Sequence, residues 1–294
     1  MRRLRYGAEA ALTYVAYVFF RMMPVAAASH VGGWFMSRLG PRLGVSRVAR
    51  KNIGFAFPEK TEAEKEIIIA GMWDNLGRVM GEYPHLHGMS ARVELRGREH
   101  FESMRDSHKA AFLFGAHLAN WEIPAIRKQT GLDIHIVYRK PNNPWVDRLL
   151  RYARSTGCVG QIEKGAGGTR QIVSALRSGG VVGMLVDQKL NEGISIPFFG
   201  RDAMTAPAIA HFALKFECPI YPMRIERLPG CRFRITAFPP IDTSDTGHKD
   251  DDVKRIMTDI NRMLEGWIRE APAQWLWIHR RWPKPLYTEQ AAVL

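Results

Sequence analysis

The chain has 294 residues, 46% of them hydrophobic and 10% aromatic, with 42 Lys and Arg against 29 Asp and Glu for a formal net charge of +13. That length suits one large domain or two small ones, and the apolar content fills a sizeable core, which excludes a disordered, collagen-like or coiled-coil chain. The cationic excess asks for an anionic counterpart, and composition leaves nucleic acid, an anionic membrane surface and an acidic protein or substrate all open. Cys158, Cys218 and Cys231, odd in number and without a close pair, make neither a disulfide framework nor a zinc knuckle and read as ordinary thiols of a reducing cytosol.

At the amino terminus Arg2, Arg3 and Arg5 precede a stretch from Ala8 to Ala28 that is interrupted by the charges of Glu9 and Arg21. About 20 apolar residues cross a bilayer, and an Arg near the centre is expensive there, so this stretch is a borderline span. It lacks a small-residue cleavage site, against a secretory signal. Basic residues also follow it, Arg38, Arg42, Arg47, Arg50 and Lys51. The positive-inside rule then places both ends on the cytoplasmic side, which a helix lying in the interface satisfies. A buried helix of a soluble core is the competing reading. We expect residues 1–50 to form a hydrophobic, membrane-associating helical segment and residues 51–294 the main domain.

Residues 51–87 read as helical, with Thr61 as N-cap and Glu64 three residues on as a capping box. Ala110–Gly115 (AAFLFG) is a buried strand, followed by a helix from about Asn120 to Lys128. Ile134–Tyr138 is a second strand, and Pro144–Ser155 and Thr169–Arg177 are helices. Val181–Val186 (VVGMLV) is a third buried strand, Ala206–Phe216 a helix, Ile220–Ile225 and Phe233–Phe238 two more strands, and Asp250–Glu270 a final amphipathic helix. The alternation predicts an α/β fold with a mostly parallel central sheet flanked by helices, extended at its N-terminus by the hydrophobic helical segment.

Directly after the first buried strand comes Gly115-Ala116-His117-Leu118-Ala119-Asn120-Trp121-Glu122. Ligands of open α/β sheets bind at the carboxyl ends of the strands. A histidine beside a carboxylate is a general-base arrangement, the carboxylate fixing the imidazole tautomer and stabilising its protonated form. Five residues along a regular helix lie about 140° apart, so the two cannot share a helical face. His117 belongs on the turn and Glu122 in the helix. A histidine followed five residues later by an acid is expected about once by chance in this composition, and it occurs once, so the spacing alone is uninformative.

Its context is informative. FLFGAHLANWE, VYRKPNNPWVDRLLRYARSTG, MLVDQKLNEGISIPFFGRDAMTAPA, YPMRIER and QWLWIHRRW, in that order from about Ala110 to Trp282, resemble the bacterial lipid A late acyltransferases, the lauroyl and myristoyl transferases of the lysophospholipid acyltransferase superfamily. The resemblance implies that His117 and Glu122 are base and orienting carboxylate, that Arg154 is the family's arginine in the helix after the second strand, and that Asp187 is its aspartate ending the third strand. Arg148 and Arg151 lie on the turns adjacent to Arg154. One departure is Lys189, where related sequences often carry a second acid.

The chemistry of acyl transfer agrees with these residues. A thioester-to-hydroxyl transfer needs a base, an orienter for it, and positive or N–H groups for the tetrahedral oxyanion. His117, Glu122, and Arg154 with a helix N-terminus at Asn120 would supply them. No serine sits in a nucleophile elbow and no cluster has zinc spacing, so neither a serine hydrolase nor a metal site is expected. Arg139, Lys140, Arg148 and Arg151 form a basic block suited to the phosphates of an acceptor, with a solvated helix face as the plain alternative. With Asn120 and Gln188 they complete the expected substrate-binding set. His85 and His87 read as a polar turn sooner than a metal pair, and Lys164–Gly168 as a turn. Ile194–Gly200 reads as an acyl-groove wall or an edge strand. Trp275, Trp277 and Trp282 with Arg280 and Arg281 read as an interfacial belt or as core.

The sequence is thus identified as a member of an acyltransferase family, with residues 51–294 as its catalytic domain and no cofactor beyond an acyl thioester co-substrate. The resemblance implies acyl carrier protein as donor, coenzyme A being the less favoured one, and an anionic phosphorylated glycolipid as acceptor. It further implies a place at the cytoplasmic face of the bacterial inner membrane. Acylation of another lysophospholipid or glycolipid is the alternative within the superfamily. A non-catalytic membrane- or nucleic-acid-binding protein, with His117 as an ordinary core histidine, is the alternative outside it. Nucleic acid ranks last, because the arginines are spread over several helices instead of forming one stripe.

Overall fold

In the computed structural model, which describes residues 2–288 apart from 124 and 156, the chain opens with helices α1 (Arg2–Arg21), α2 (Val25–Leu39), α3 (Ser46–Ala56) and α4 (Glu62–Glu82). The capping box forms: Thr61 Oγ1 accepts from the Glu64 N–H, and Glu64 Oε2 accepts from the Thr61 N–H at 2.8 Å. Next come β1 (Val93–Arg96), α5 (Arg98–Ser107), β2 (Ala111–Gly115), α6 (Ala125–Thr130), β3 (Ile134–Tyr138) and α7 (Pro144–Arg154). Then follow β4 (Gly160–Glu163), α8 (Ala166–Arg177), β5 (Val181–Leu185), a hairpin of β6 (Lys189–Phe198) and β7 (Arg201–Thr205), and α9 (Ala208–Phe216). β8 (Ile220–Leu228), β9 (Arg232–Ala237), α10 (Lys249–Glu270) and α11 (Pro285–Thr288) complete the fold.

The seven-stranded sheet has the order β1-β9-β8-β2-β5-β3-β4. Neighbours from β8 to β4 are parallel, β9 runs antiparallel to β8, and β1 is parallel to β9. β2 is buried along its whole length because both sheet faces are covered. Phe112 and Phe114 enter one core, stacked on Phe212 of α9 and Trp267 of α10, while Ala111 and Leu113 enter the other with Phe101 and Met104 of α5. Continuous apolar runs are what such doubly covered parallel strands require. The sequence reading lacked β1 and β4, whose four residues, VELR and GQIE, are half polar and show no apolar run. Ile194–Phe198 proves to be part of the β6–β7 hairpin.

Trp275, Trp277 and Trp282 are fully buried, with Trp275 and Trp277 edge to face at 4.5 Å, so they are core and form no interfacial belt. Arg281 is buried with them, and its Nη2 donates to Thr205 Oγ1 at 2.9 Å. The N-terminal extension is helical, but α1 mixes charged and apolar residues and is not uniformly hydrophobic. Among the described residues no helix is long and apolar enough to cross a membrane. α2 lies against α4 at glycines: a Cβ on Gly32 would sit 2.2 Å from the Gly77 carbonyl oxygen, so the two backbones touch only because neither position has a side chain. The outer surface of these helices exposes Leu12, Val15, Val18, Phe19, Trp34 and Phe35.

Candidate active site

β2 and β5 are adjacent and parallel, and Gly115 is the register partner of Leu185. Two residues beyond that pair stand His117 and Asp187, so the sheet itself delivers them side by side at its carboxyl edge. Asp187 Oδ1 accepts from His117 Nδ1 at 2.8 Å, and Asp187 Oδ2 accepts from the His117 backbone N–H at 2.9 Å and from Trp275 Nε1 at 2.8 Å. Asp187 is fully buried. Burial opposes its charge, but the facing imidazole and these donors outweigh burial and hold its carboxyl well below the usual range. Burial lowers the His117 pKa, and the Asp187 charge and hydrogen bond more than reverse this, leaving it raised above 6.5. With Nδ1–H given to Asp187, the Nε2 lone pair faces outward, 3.3 Å from the exposed Gln188 side-chain nitrogen.

The carboxylate on His117 is therefore Asp187 and not Glu122. Glu122 pairs with Arg154 at the end of α7, its two oxygens accepting from Nε at 2.6 Å and Nη2 at 2.5 Å, a bidentate fork. Both side chains are mostly buried, and the third nitrogen of the fork, Arg154 Nη1, is buried with no hydrogen-bond partner. Glu122 reaches His117 only through its field, which favours the imidazolium, while the Arg154 charge opposes it. Helix α6 begins only at Ala125, so Glu122 sits in a turn in which the Ile123 N–H donates to the Asn120 carbonyl. The expected helix N-terminus does not lie at Asn120, whose side chain instead closes a turn. Its Oδ1 accepts from the Glu122 N–H, and its Nδ2 donates to Glu82 Oε2 at 2.7 Å. Asn120 is fully buried, so its side chain is spent inward and does not face a substrate.

Arg139, Lys140, Arg148 and Arg151 are exposed, and Lys140 pairs with Glu163 at 3.3 Å. Arg148 and Arg151 line the solvent side of α7, whereas Arg154 turns inward. His85 and His87 go separate ways, onto the carbonyls of Phe20 and Tyr152. Among the described residues no group of three or more His, Cys, Asp or Glu is arranged to hold a metal ion.

Two site residues escaped the sequence reading. Trp275 donates to Asp187, and His279 packs edge to face on Trp275 at 5.3 Å with its ring 6.4 Å from His117. Both ring nitrogens of His279 are buried without partners, and burial lowers its pKa to about 4, keeping it neutral at pH 7. Both lie in QWLWIHRRW, where the crowding of aromatics and polar side chains was the available signal. The three cysteines are buried, and burial raises each thiol, that of Cys218 to about 11, so none is an activated thiolate.

The site is thus a buried aspartate holding a histidine at the carboxyl edge of a parallel sheet. The chain belongs to the bacterial lipid A biosynthesis acyltransferase family, whose sequence profile matches residues 1–284, and the protein is an acyltransferase. It is similar to a lipid A biosynthesis acyltransferase of Haemophilus influenzae, 25% identical over 91% of this chain and 83% of that protein. It is likewise similar to two Escherichia coli proteins. The lipid A biosynthesis lauroyltransferase is 22% identical over 80% of this chain and 78% of that protein, and the myristoyltransferase 26% identical over 83% and 77%.

Proposed function

We propose that this acyltransferase moves a fatty acyl chain from acyl carrier protein onto a hydroxyl of a phosphorylated lipid A precursor, with His117 as general base. The observation that carries the reading is the 2.8 Å bond from His117 Nδ1 to Asp187, which leaves Nε2 as a proton acceptor at the open edge of the sheet. The acceptor hydroxyl displaces Gln188 from Nε2, gives its proton there and forms the new C–O bond at the thioester carbonyl. Collapse of the tetrahedral intermediate breaks the C–S bond, and the departing thiolate takes the proton back from His117. No covalent acyl-enzyme and no cofactor beyond the thioester is required.

The oxyanion needs a donor that is already in place. Arg154 Nη1, buried and unpartnered, is the group we assign, with Glu122 holding the guanidinium by the other two nitrogens. The exposed Arg139, Arg148 and Arg151 suit acceptor phosphates. Membrane contact at the cytoplasmic face of the inner membrane is supported by the apolar side chains exposed on α1 and α2 beside Arg5, Arg38, Arg42 and Arg47.

Mass spectrometry of lipid A from a strain lacking the gene, together with transfer assays on the purified protein, tests the reading. One missing acyl group, restored by the wild type and not by His117→Ala, is the expected result. An unchanged lipid A would overturn the acceptor and direct attention to another membrane lipid. Transfer with acyl coenzyme A but not with acyl carrier protein would overturn the donor.

A further inference from the structure

The turn that carries His117 is braced from beneath by a buried ion pair that proton transfer does not use. Ala119 adopts a left-handed φ of 51°, a conformation that costs a residue with a Cβ about 1–2 kcal/mol. Its backbone is pinned on both sides. The Ala119 carbonyl accepts from Asn75 Nδ2 at 2.9 Å, and the Ala119 N–H donates to the Gln274 carbonyl at 2.9 Å. Asn120 ties the next residue to Glu82.

Glu82, the last residue of α4, is fully buried. Besides Asn120, its carboxylate accepts from Ser29 Oγ of α2 at 2.7 Å and from both Nη atoms of Arg227 of β8, Nη2 at 3.1 Å. Arg227 in turn donates Nε to Asn75 Oδ1 at 2.8 Å, and its backbone N–H donates to Gln274 Oε1 at 2.8 Å. Each of the three residues that hold the turn, Asn75, Asn120 and Gln274, is thus itself held by Glu82 or Arg227.

We propose that Glu82 and Arg227 are positioning residues of the transferase, fixing the place and orientation of the His117 imidazole through Asn120, Asn75 and Gln274. The proposal rests on the reading of His117 as the base. A buried ion pair is a poor device for stability alone, since well-packed apolar residues often replace one without loss. What it supplies is a set of directional bonds, and these converge on a strained turn two residues from the base. Misplacing a reacting group by about 1 Å costs about 100-fold in rate, so small shifts of this turn are felt in turnover.

The experiment compares Asn120→Ala, Glu82→Gln and His117→Ala in the full-length protein with acyl carrier protein thioester and lipid acceptor. Glu66→Gln, which breaks a remote ion pair with Arg50, serves as a control for lost stability. We expect Asn120→Ala and Glu82→Gln to lower kcat by about 10- to 100-fold with both KM values unchanged within about twofold. Glu66→Gln should melt earlier and keep its kcat. Wild-type kcat in folded Asn120→Ala, beside an inactive His117→Ala, would overturn the positioning role and leave the base intact. So would losses that only follow the folded fraction measured by circular dichroism. An active His117→Ala would overturn the base reading itself and the proposal with it. Should Glu82→Gln fail to fold, Asn120→Ala, which disturbs no charge, decides.

Discussion

Two carboxylates with basic partners stand at the active edge of this sheet, and they are built on different supports. Asp187 and His117 stand just past the ends of neighbouring strands in register, and the Asp187 carboxylate accepts three hydrogen bonds. Glu122 and Arg154 come from a turn and the end of a helix, and one guanidinium nitrogen is left buried without a partner. The first carboxylate is engaged at both oxygens, one of them on the imidazole of His117. In the function proposed above, the first pair sets the proton acceptor and the second supplies a donor for the oxyanion, two of the parts that acyl transfer needs.

The largest expected effect breaks the first pair. His117→Ala should lower kcat by about 10²- to 10⁴-fold, the usual contribution of a positioned base, in steady-state transfer assays with little change in KM. A tenfold loss or less would remove His117 from the proton path.

Asp187→Asn should come next. It keeps the shape but removes the charge, and because it acts only through His117 its loss should not exceed that of His117→Ala; the analogous change in serine proteases costs about 10⁴-fold, the top of that range. The pH profile carries the sharper test. Because Asp187 raises the His117 pKa above 6.5 and the base must be neutral, kcat/KM in the wild type should rise with pH through a value above 6.5. Without the Asp187 charge, burial is left to lower the imidazole, and the acid limb should move below 6.5. An unmoved limb would assign that ionisation to another group.

The second pair should respond differently. Glu122→Gln leaves Arg154 buried and unpaired, which should cost about 3–5 kcal/mol of stability by urea unfolding, whatever happens to the rate. The double variant Glu122→Gln/Arg154→Met should recover most of that stability yet remain about 10- to 100-fold slower, because it lacks the N–H proposed for the oxyanion. A double variant with wild-type kcat would reduce the pair to a structural bridge.

These two pairs also mark what could and could not be read from the sequence. The strands β2, β3, β5 and β8 and most helices were legible because doubly covered strands are apolar runs, because amphipathic helices carry their own periodicity, and because α4 and α7 are capped by Thr61 and Asn143. His117 was legible as a residue just past a strand. Its partner was misassigned, because an acid five residues away is a local pattern, whereas the contact with Asp187 depends on β2 lying beside β5 in register across 70 residues of chain. AAFLFG is followed by His117 after one intervening residue and VVGMLV by Asp187 directly, so the equal offset of two appears only once β2 and β5 are paired with Gly115 opposite Leu185. Trp275 and His279 were hidden for the same reason, since their segment reaches the site by crossing under the turn at Leu118.

The smallest effect concerns His279, which stands on the Asp187 side of the comparison. Its pKa is lowered to about 4 by burial, against 6.5 for an exposed imidazole. Between those values the unfolded chain takes up a proton that the native site refuses, so stability falls as pH falls from 6.5 toward 4, by about 3 kcal/mol across the window. His117 adds no slope there. Its raised pKa means it is protonated in both states below 6.5, and the stability it contributes is lost only at higher pH, through its folded value. Unfolding midpoints at pH 6.5 and pH 5 should therefore differ in the wild type and converge in His279→Phe, which keeps an aromatic ring against Trp275. An equal slope in both proteins would mean that His279 accepts a proton in the native fold. Asp187 would then face two imidazolium groups below pH 6.5 in place of one.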